Sequence, residues 1–102
     1  MDLLTEREYY KPFSYPWAFE HYKTQQHMHW LPDEVNLADD LKDYREKLTN
    51  GNKILISNIF RFFTQADVDV CCGYAKHYLP TFKQPEVRMM LSAFAGMEAV
   101  HQ

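Results

Sequence analysis

The sequence predicts an all-α protein, and three observations carry that reading. Two long stretches place apolar side chains at alternating spacings of three and four, the period of one helix face. No stretch alternates apolar with polar residues as a half-buried strand would. Proline or an Asn-Gly pair stands where such helices would begin and end.

In chain order, residues 1–15 mix polar and aromatic side chains without a period and read as an extended arm. Pro16 then suits a first helical turn, and Trp17 to about His29 reads as a helix with a ragged apolar face of Trp17, Phe19 and Tyr22. Trp30-Leu31-Pro32-Asp33-Glu34-Val35 breaks it, because a proline drives the residue before it out of helical geometry. Asp33 or Asn36 is placed to cap a second helix over Leu37 to Leu48, with Leu37, Leu41, Tyr44 and Leu48 on one face. Thr49-Asn50-Gly51-Asn52 reads as a turn.

The longest helix is expected from about Lys53 to Tyr78, with Ile56, Phe60, Phe63, Asp67, Val70 and Tyr74 on its stripe. Asp67 stands where an apolar residue is expected, whereas Asp69 faces the other way, in line with Gln65 and Lys76. Pro80 is expected to end this helix, residues 81–84 to form a short loop, and Pro85 to open the last helix. Glu86 in that first turn complements the helix dipole. The last helix carries no stop signal, and its stripe still runs at His101. The expectation is one domain, with residues 16–102 the helical N-terminal portion of a bundle whose C-terminal half is absent, leaving the apolar stripes of both long helices half uncovered.

Composition excludes several classes. A net charge of −3 and a pI near 5.9 give no basic surface for a nucleic acid. No apolar run is long enough to span a membrane, and residues 1–8 lack the basic-then-apolar layout of a signal peptide, so a cytoplasmic protein is expected. Cys71 and Cys72 are adjacent and fit neither a Cys-x-x-Cys redox pair nor a zinc pattern; they read as two reduced residues, one facing the core.

The chemistry concentrates in Met97-Glu98-Ala99-Val100-His101. Counting back from His101 in steps of three and four meets Glu98, Phe94, Leu91 and Val87, a face made for burial. A carboxylate there costs several kcal/mol unless it is paired or holds a metal. Glu and His three apart can reach one point, and helix bundles build carboxylate-bridged di-metal sites with that spacing. Taken singly, Asp67 could be a hydrogen-bonded core polar group and His101 a satisfied core histidine. Two carboxylates and an imidazole on facing helices joined by a short loop favour a metal, with oxygen-rich ligation pointing to iron or manganese. Trp30 reads either as a core plug or as a redox-active indole near that metal. Seven tyrosines are too many to single one out as a radical site. His21, His27 and His29 read as solvated.

Three stretches resemble one family, the small, radical-generating (beta) subunit of class I ribonucleotide reductase. Trp30-Leu31-Pro32-Asp33-Glu34-Val35 is similar to its Trp-x-Pro-Glu-Glu-Val, with Asp33 in place of a Glu. Phe62-Phe63-Thr64-Gln65-Ala66-Asp67 resembles the segment ending in its first metal-binding Asp, and Met97 to His101 its first Glu-x-x-His. The order and separations fit over essentially the whole chain from Tyr10 onward.

The resemblance implies a ferritin-like helix bundle that forms a homodimer around a di-iron, sometimes manganese-containing, centre. It implies Asp67 as a terminal ligand, Glu98 as the bridge, His101 on the same metal as Asp67, and Trp30 as the indole passing an electron to the site. The implied partner is the large catalytic (alpha) subunit, which makes deoxyribonucleotides for DNA synthesis. The family's radical tyrosine, second ligand set and subunit-binding tail have no counterpart in residues 1–102. Another ferritin-like di-iron oxidase or iron-binding protein, or a metal-free helical interaction module, are the alternatives. The isolated chain is expected to be inactive: reductase assays with a purified large subunit should give no turnover above background, and turnover would overturn the half-site reading.

Overall fold

A computed structural model describes residues 2–102 and is helical throughout its regular structure. The elements are α1 (Pro16–His27), a 3-10 turn (Pro32–Glu34), α2 (Ala38–Glu46), α3 (Asn50–Gly73), a π-helical turn (Tyr74–Tyr78), α4 (Leu79–Thr81) and α5 (Pro85–His101). α5 packs against α1 on one side and against the C-terminal part of α3 on the other. The core they enclose is small: Ala18, Val87, Met90 and Leu91, flanked by half-buried Tyr22, Tyr74, Phe82 and Phe94.

α1 and α2 end two residues earlier than expected, and both boundaries of the longest helix depart from the sequence expectation, each for a local reason. α3 begins at Asn50, not Lys53, because Thr49 is its N-cap: Thr49 Oγ1 accepts from the Asn52 amide at 3.1 Å. Asn50 and Gly51 are therefore the first helical residues and not a turn. Helical structure also passes Pro80 and ends at Thr81. Ahead of the proline the backbone widens to the π pattern, with the Leu79 amide donating to the Tyr74 carbonyl, which shifts the carbonyls the pyrrolidine ring would otherwise meet. Arg88 Nε then donates to the Leu79 and Phe82 carbonyls at 3.1 and 2.9 Å, satisfying acceptors that the helix end leaves open.

The molecule is long and thin. Its radius of gyration is 18.7 Å and its longest extent 58 Å, against about 13 Å for a compact domain of this length. The cause is the N-terminal part of α3, which α2 touches on one side only. Tyr44 Oη meets Ser57 Oγ at 2.9 Å, and Lys53 Nζ donates to the Arg45 carbonyl at 3.3 Å. Stripe residues Phe60, Phe63 and Val70 remain 65%, 56% and 45% exposed, so the expected uncovered stripe is present on α3. On α5 the stripe is buried at Val87, Met90 and Leu91 and opens toward His101, which is exposed. Asp69 is solvated and accepts from Gln65 Nε2 at 3.0 Å, as its spacing implied.

Residues 2–15 have no regular secondary structure, as expected for an arm. The arm nevertheless holds a buried charge that periodicity gave no sign of. Arg7 is 5% exposed and Glu86 and Gln84 are fully buried. Arg7 Nη1 donates to Gln84 Oε1 at 2.7 Å and to Glu86 Oε2 at 3.0 Å. Arg7 Nη2 lies 2.8 Å from Glu86 Oε1, an ion pair without the alignment of a hydrogen bond. Arg7 Nε and Nη2 also donate to the Tyr9 and Tyr10 carbonyls at 2.8 and 2.7 Å. The Tyr15 amide donates to Glu86 Oε2 at 3.2 Å, and Gln84 Nε2 donates to the Thr5 carbonyl at 2.7 Å. Burial pushes the Glu86 carboxyl up, but hydrogen bonds from Arg7 and Tyr15 and the guanidinium charge outweigh it and hold the group below the usual carboxylate value.

Removing one partner of such a pair leaves a buried charge, so Arg7→Ala should cost about 3–5 kcal/mol. In urea unfolding followed by circular dichroism, Arg7→Ala together with Glu86→Leu should cost less than Arg7→Ala alone; equal or greater loss would contradict the buried-charge account. A depressed carboxylate contributes stability that is full above its ordinary pKa and lost as pH falls through the lowered value. Wild-type stability should therefore fall on acidification below about pH 4.5, the ordinary carboxyl value, and Glu86→Gln should flatten that fall.

Candidate metal centre

Three side chains picked out by spacing meet at one point. Asp67 comes from the middle of α3, Glu98 and His101 from the last turn of α5. One ligating atom from each lies within 4.8 Å of the other two. His101 Nδ1 is 3.6 Å from Glu98 Oε2. Asp67 and Glu98 are half-buried and His101 is exposed.

The two helices converge because the reversal at residues 82–84 returns α5 along α3. Near the site the helices are tied twice. Cys71 Sγ donates to the Ala95 carbonyl at 3.6 Å, and Gln102 Nε2 reaches the Asp67 carbonyl at 3.5 Å. Cys71, half-buried, is the cysteine that faces the helix pair, and Cys72 is exposed, matching the expectation of one inward residue and no bridge.

The donor set fits a metal ion. At bond lengths of about 2.0–2.2 Å, two ligand atoms on one ion lie at most about 4.4 Å apart. The observed 4.8 Å limit is within a small side-chain adjustment of that value, and a carboxylate shared by two ions relaxes it further. Two carboxylates and one imidazole supply mostly hard oxygen donors, which suits iron or manganese better than a thiolate-preferring metal. Without a cation, the two carboxylates would face each other with only His101 and water to separate them.

Trp30 lies in the break after α1, 38% exposed, so it is not a core plug. Its ring centroid is 6.3 Å from that of His101, tilted by 34°. The indole thus abuts the side chain that ends the three-donor cluster. His21, His27 and His29 are exposed, as their spacing suggested.

Sequence reasoning put Tyr74 on the Asp67 stripe but did not assign it to this neighbourhood. Its ring packs on Phe94 at 6.4 Å. Burial, then the negative charge of Glu98, raises its phenol above the usual tyrosine value. The signal was available: Tyr74 continues the Asp67 stripe by seven residues, two helical turns.

A family model described as "Ribonucleotide reductase, small chain" matches residues 7–102. The chain is 50% identical over 101 residues to the probable ribonucleoside-diphosphate reductase small subunit 376L of Invertebrate iridescent virus 6, covering 99% of this chain and 28% of that protein. It is 46% identical over 99 residues to the probable small subunit 048L of Invertebrate iridescent virus 3, covering 97% of this chain and 26% of that protein. Against the ribonucleoside-diphosphate reductase small chain of Trypanosoma brucei brucei the identity is 31% over 90 residues, with 88% and 26% covered. The chain spans about a quarter of the length of these curated relatives.

Anaerobic titration with Fe(II) against a chromogenic chelator should show Asp67→Ala, Glu98→Ala and His101→Ala each weakening iron uptake by at least about tenfold. Equal uptake by wild type and the triple variant would rule the cluster out as a metal site.

Proposed function

The chain belongs to the ribonucleotide reductase small-chain family, and from that premise we propose that it forms one half of the dinuclear metal site of a ribonucleoside-diphosphate reductase small subunit. What supports this most is a single observation: Asp67, Glu98 and His101, from two antiparallel helices, offer ligand atoms within 4.8 Å of one another. In this reading Asp67, Glu98 and His101 would hold the metals, Asp67 as a terminal ligand, Glu98 as the shared carboxylate and His101 on the side of Asp67. The centre, iron or manganese, supplies the oxidising power that creates the radical used by the large catalytic subunit to reduce ribonucleotides.

The chain's own residues have the following roles. Glu98 and Asp67 balance the cationic charge and fix the spacing of the ions through the helix pair. His101 orients the site toward Trp30, whose ring lies 6.3 Å away; the indole is the side chain through which an electron enters. The half-buried placement of both carboxylates excludes part of the competing water. Residues 16–102 are read as the N-terminal portion of one ferritin-like domain, working as a homodimer with the large subunit in the cytoplasm. Among the described residues no helix is long and apolar enough to cross a membrane. Two metals need more ligands than these three, so the remaining carboxylates and a second Glu-x-x-His lie outside residues 1–102.

That requirement sets the test. Co-expression with the segment of the iridescent virus 6 relative that follows its matched region should yield an iron-dependent near-ultraviolet absorption band. Glu98→Ala should abolish the band, while Glu98→Asp should keep part of it. A band of undiminished intensity in Glu98→Ala would refute the bridging role.

A further inference from the structure

We propose that Tyr74 and Tyr78 form a path by which an oxidising equivalent leaves the metal site for the protein surface. The inference rests on the metal-site reading above and concerns side chains outside the ligand set.

The fold singles out this pair from the seven tyrosines. Half-buried Tyr74 lies two turns past Asp67, at the start of the π-helical turn that follows α3, and packs on Phe94, itself one turn before Glu98 on α5. Its other ring neighbour is Tyr78, with centroids 5.6 Å apart at 64°. Tyr78 is 49% exposed and touches Phe82 at 6.5 Å. Phe94, Tyr74 and Tyr78 therefore form a run of neighbouring rings that begins one helical turn from Glu98 and ends at solvent. They occupy the π-helical turn, a departure from α geometry that is frequent at functional positions. Two tyrosines of the same exposure, Tyr9 and Tyr10 at 49% and 48%, sit in the arm against Arg7 and Phe13 and serve as internal controls.

The step is a one-electron, one-proton oxidation. Tyr74 gives one electron to the centre that peroxide has oxidised, which falls by one oxidation state, and its phenolic proton goes to water. The neutral phenoxyl so formed takes one electron and one proton from Tyr78. The radical then rests on an exposed phenol, where a thiol reductant restores it by donating a hydrogen atom. Such a path spares Trp30 and Met97 when an oxidising equivalent is not passed to a partner.

The test uses the full 102-residue chain loaded with Fe(II), treated with hydrogen peroxide and a nitroso spin trap, and mapped by peptide mass spectrometry. Tyr78 should carry several-fold more adduct than Tyr9 or Tyr10, and only when iron is bound. Tyr74→Phe, which keeps the ring, should reduce Tyr78 labelling to that of the controls, and Tyr78→Phe should move the adduct to Tyr74. Equal labelling of Tyr78, Tyr9 and Tyr10, or Tyr78 labelling indifferent to Tyr74→Phe, overturns the path. Iron binding is measured separately by chelator competition, so a chain that binds iron yet labels uniformly defeats this inference alone. A chain that binds none defeats the metal-site reading and the path with it.

Discussion

The buried pair of Arg7 and Glu86 is the contact on which the remaining arrangement depends. A guanidinium and a carboxylate at almost no exposure cost several kcal/mol each to desolvate, and only complete pairing repays that cost. Here the pairing is nearly complete: Arg7 spends its donors on Glu86, Gln84 and the Tyr9 and Tyr10 carbonyls, and Glu86 also receives the Tyr15 amide. The groups that join in it come from the arm, from the entry to α1 and from the start of α5. One cluster therefore fixes three segments that a core as small as Ala18, Val87, Met90 and Leu91 would hold loosely.

That cluster is at one end of α5 and the proposed metal ligands at the other. From Glu86 to His101 the helix rises about 22 Å at 1.5 Å per residue. A helix is stiff over that distance, so fixing its first turn sets the azimuth at which Glu98 and His101 emerge. The Gln102 and Cys71 contacts trim the far end against α3, but they are longer and weaker than those around Arg7. α1, held by the same cluster, carries the chain toward Trp30, which comes to rest beside His101. The relation between indole and imidazole is thus established largely by residues far from both.

Much of this was legible in the sequence, because helix periodicity is a local property. The stripes placed Asp67, Glu98 and His101 on facing surfaces, and the short connection made those surfaces neighbours. What periodicity could not reveal were contacts between segments with no shared period. Arg7 and Glu86 are 79 residues apart, and an arginine in an aromatic arm looks solvated until its partners are known. Glu86 read as a dipole-complementing residue at a helix start; it is that, and also a buried counter-ion. The helix ends were misplaced where a side chain or a backbone widening overrode the usual punctuation: Thr49 capped ahead of Gly51, and the π turn carried the chain past Pro80. Burial was overestimated at His101, because a stripe tells which face seeks cover and not whether cover is present.

The uncovered face of α3 and the proposed metal ligands are parts of one physical problem. Phe60, Phe63 and Val70 share their stripe with Asp67, so any surface that buries those rings also removes water from the Asp67 carboxylate. Drying the carboxylate without a cation would add a desolvation cost of several kcal/mol to the repulsion between Asp67 and Glu98. With a cation in place, the same drying strengthens each ion–ligand attraction, since the local dielectric falls. Covering the apolar stripe and binding the metal must therefore reinforce one another, each lowering the cost of the other. A wet cluster avoids the penalty: Glu98 and His101 keep 21% and 44% of their side-chain surface in solvent. The hydrophobic stripe along α3 is in this sense a part of the proposed metal site, because the side chains that demand cover decide when the carboxylates lose their water.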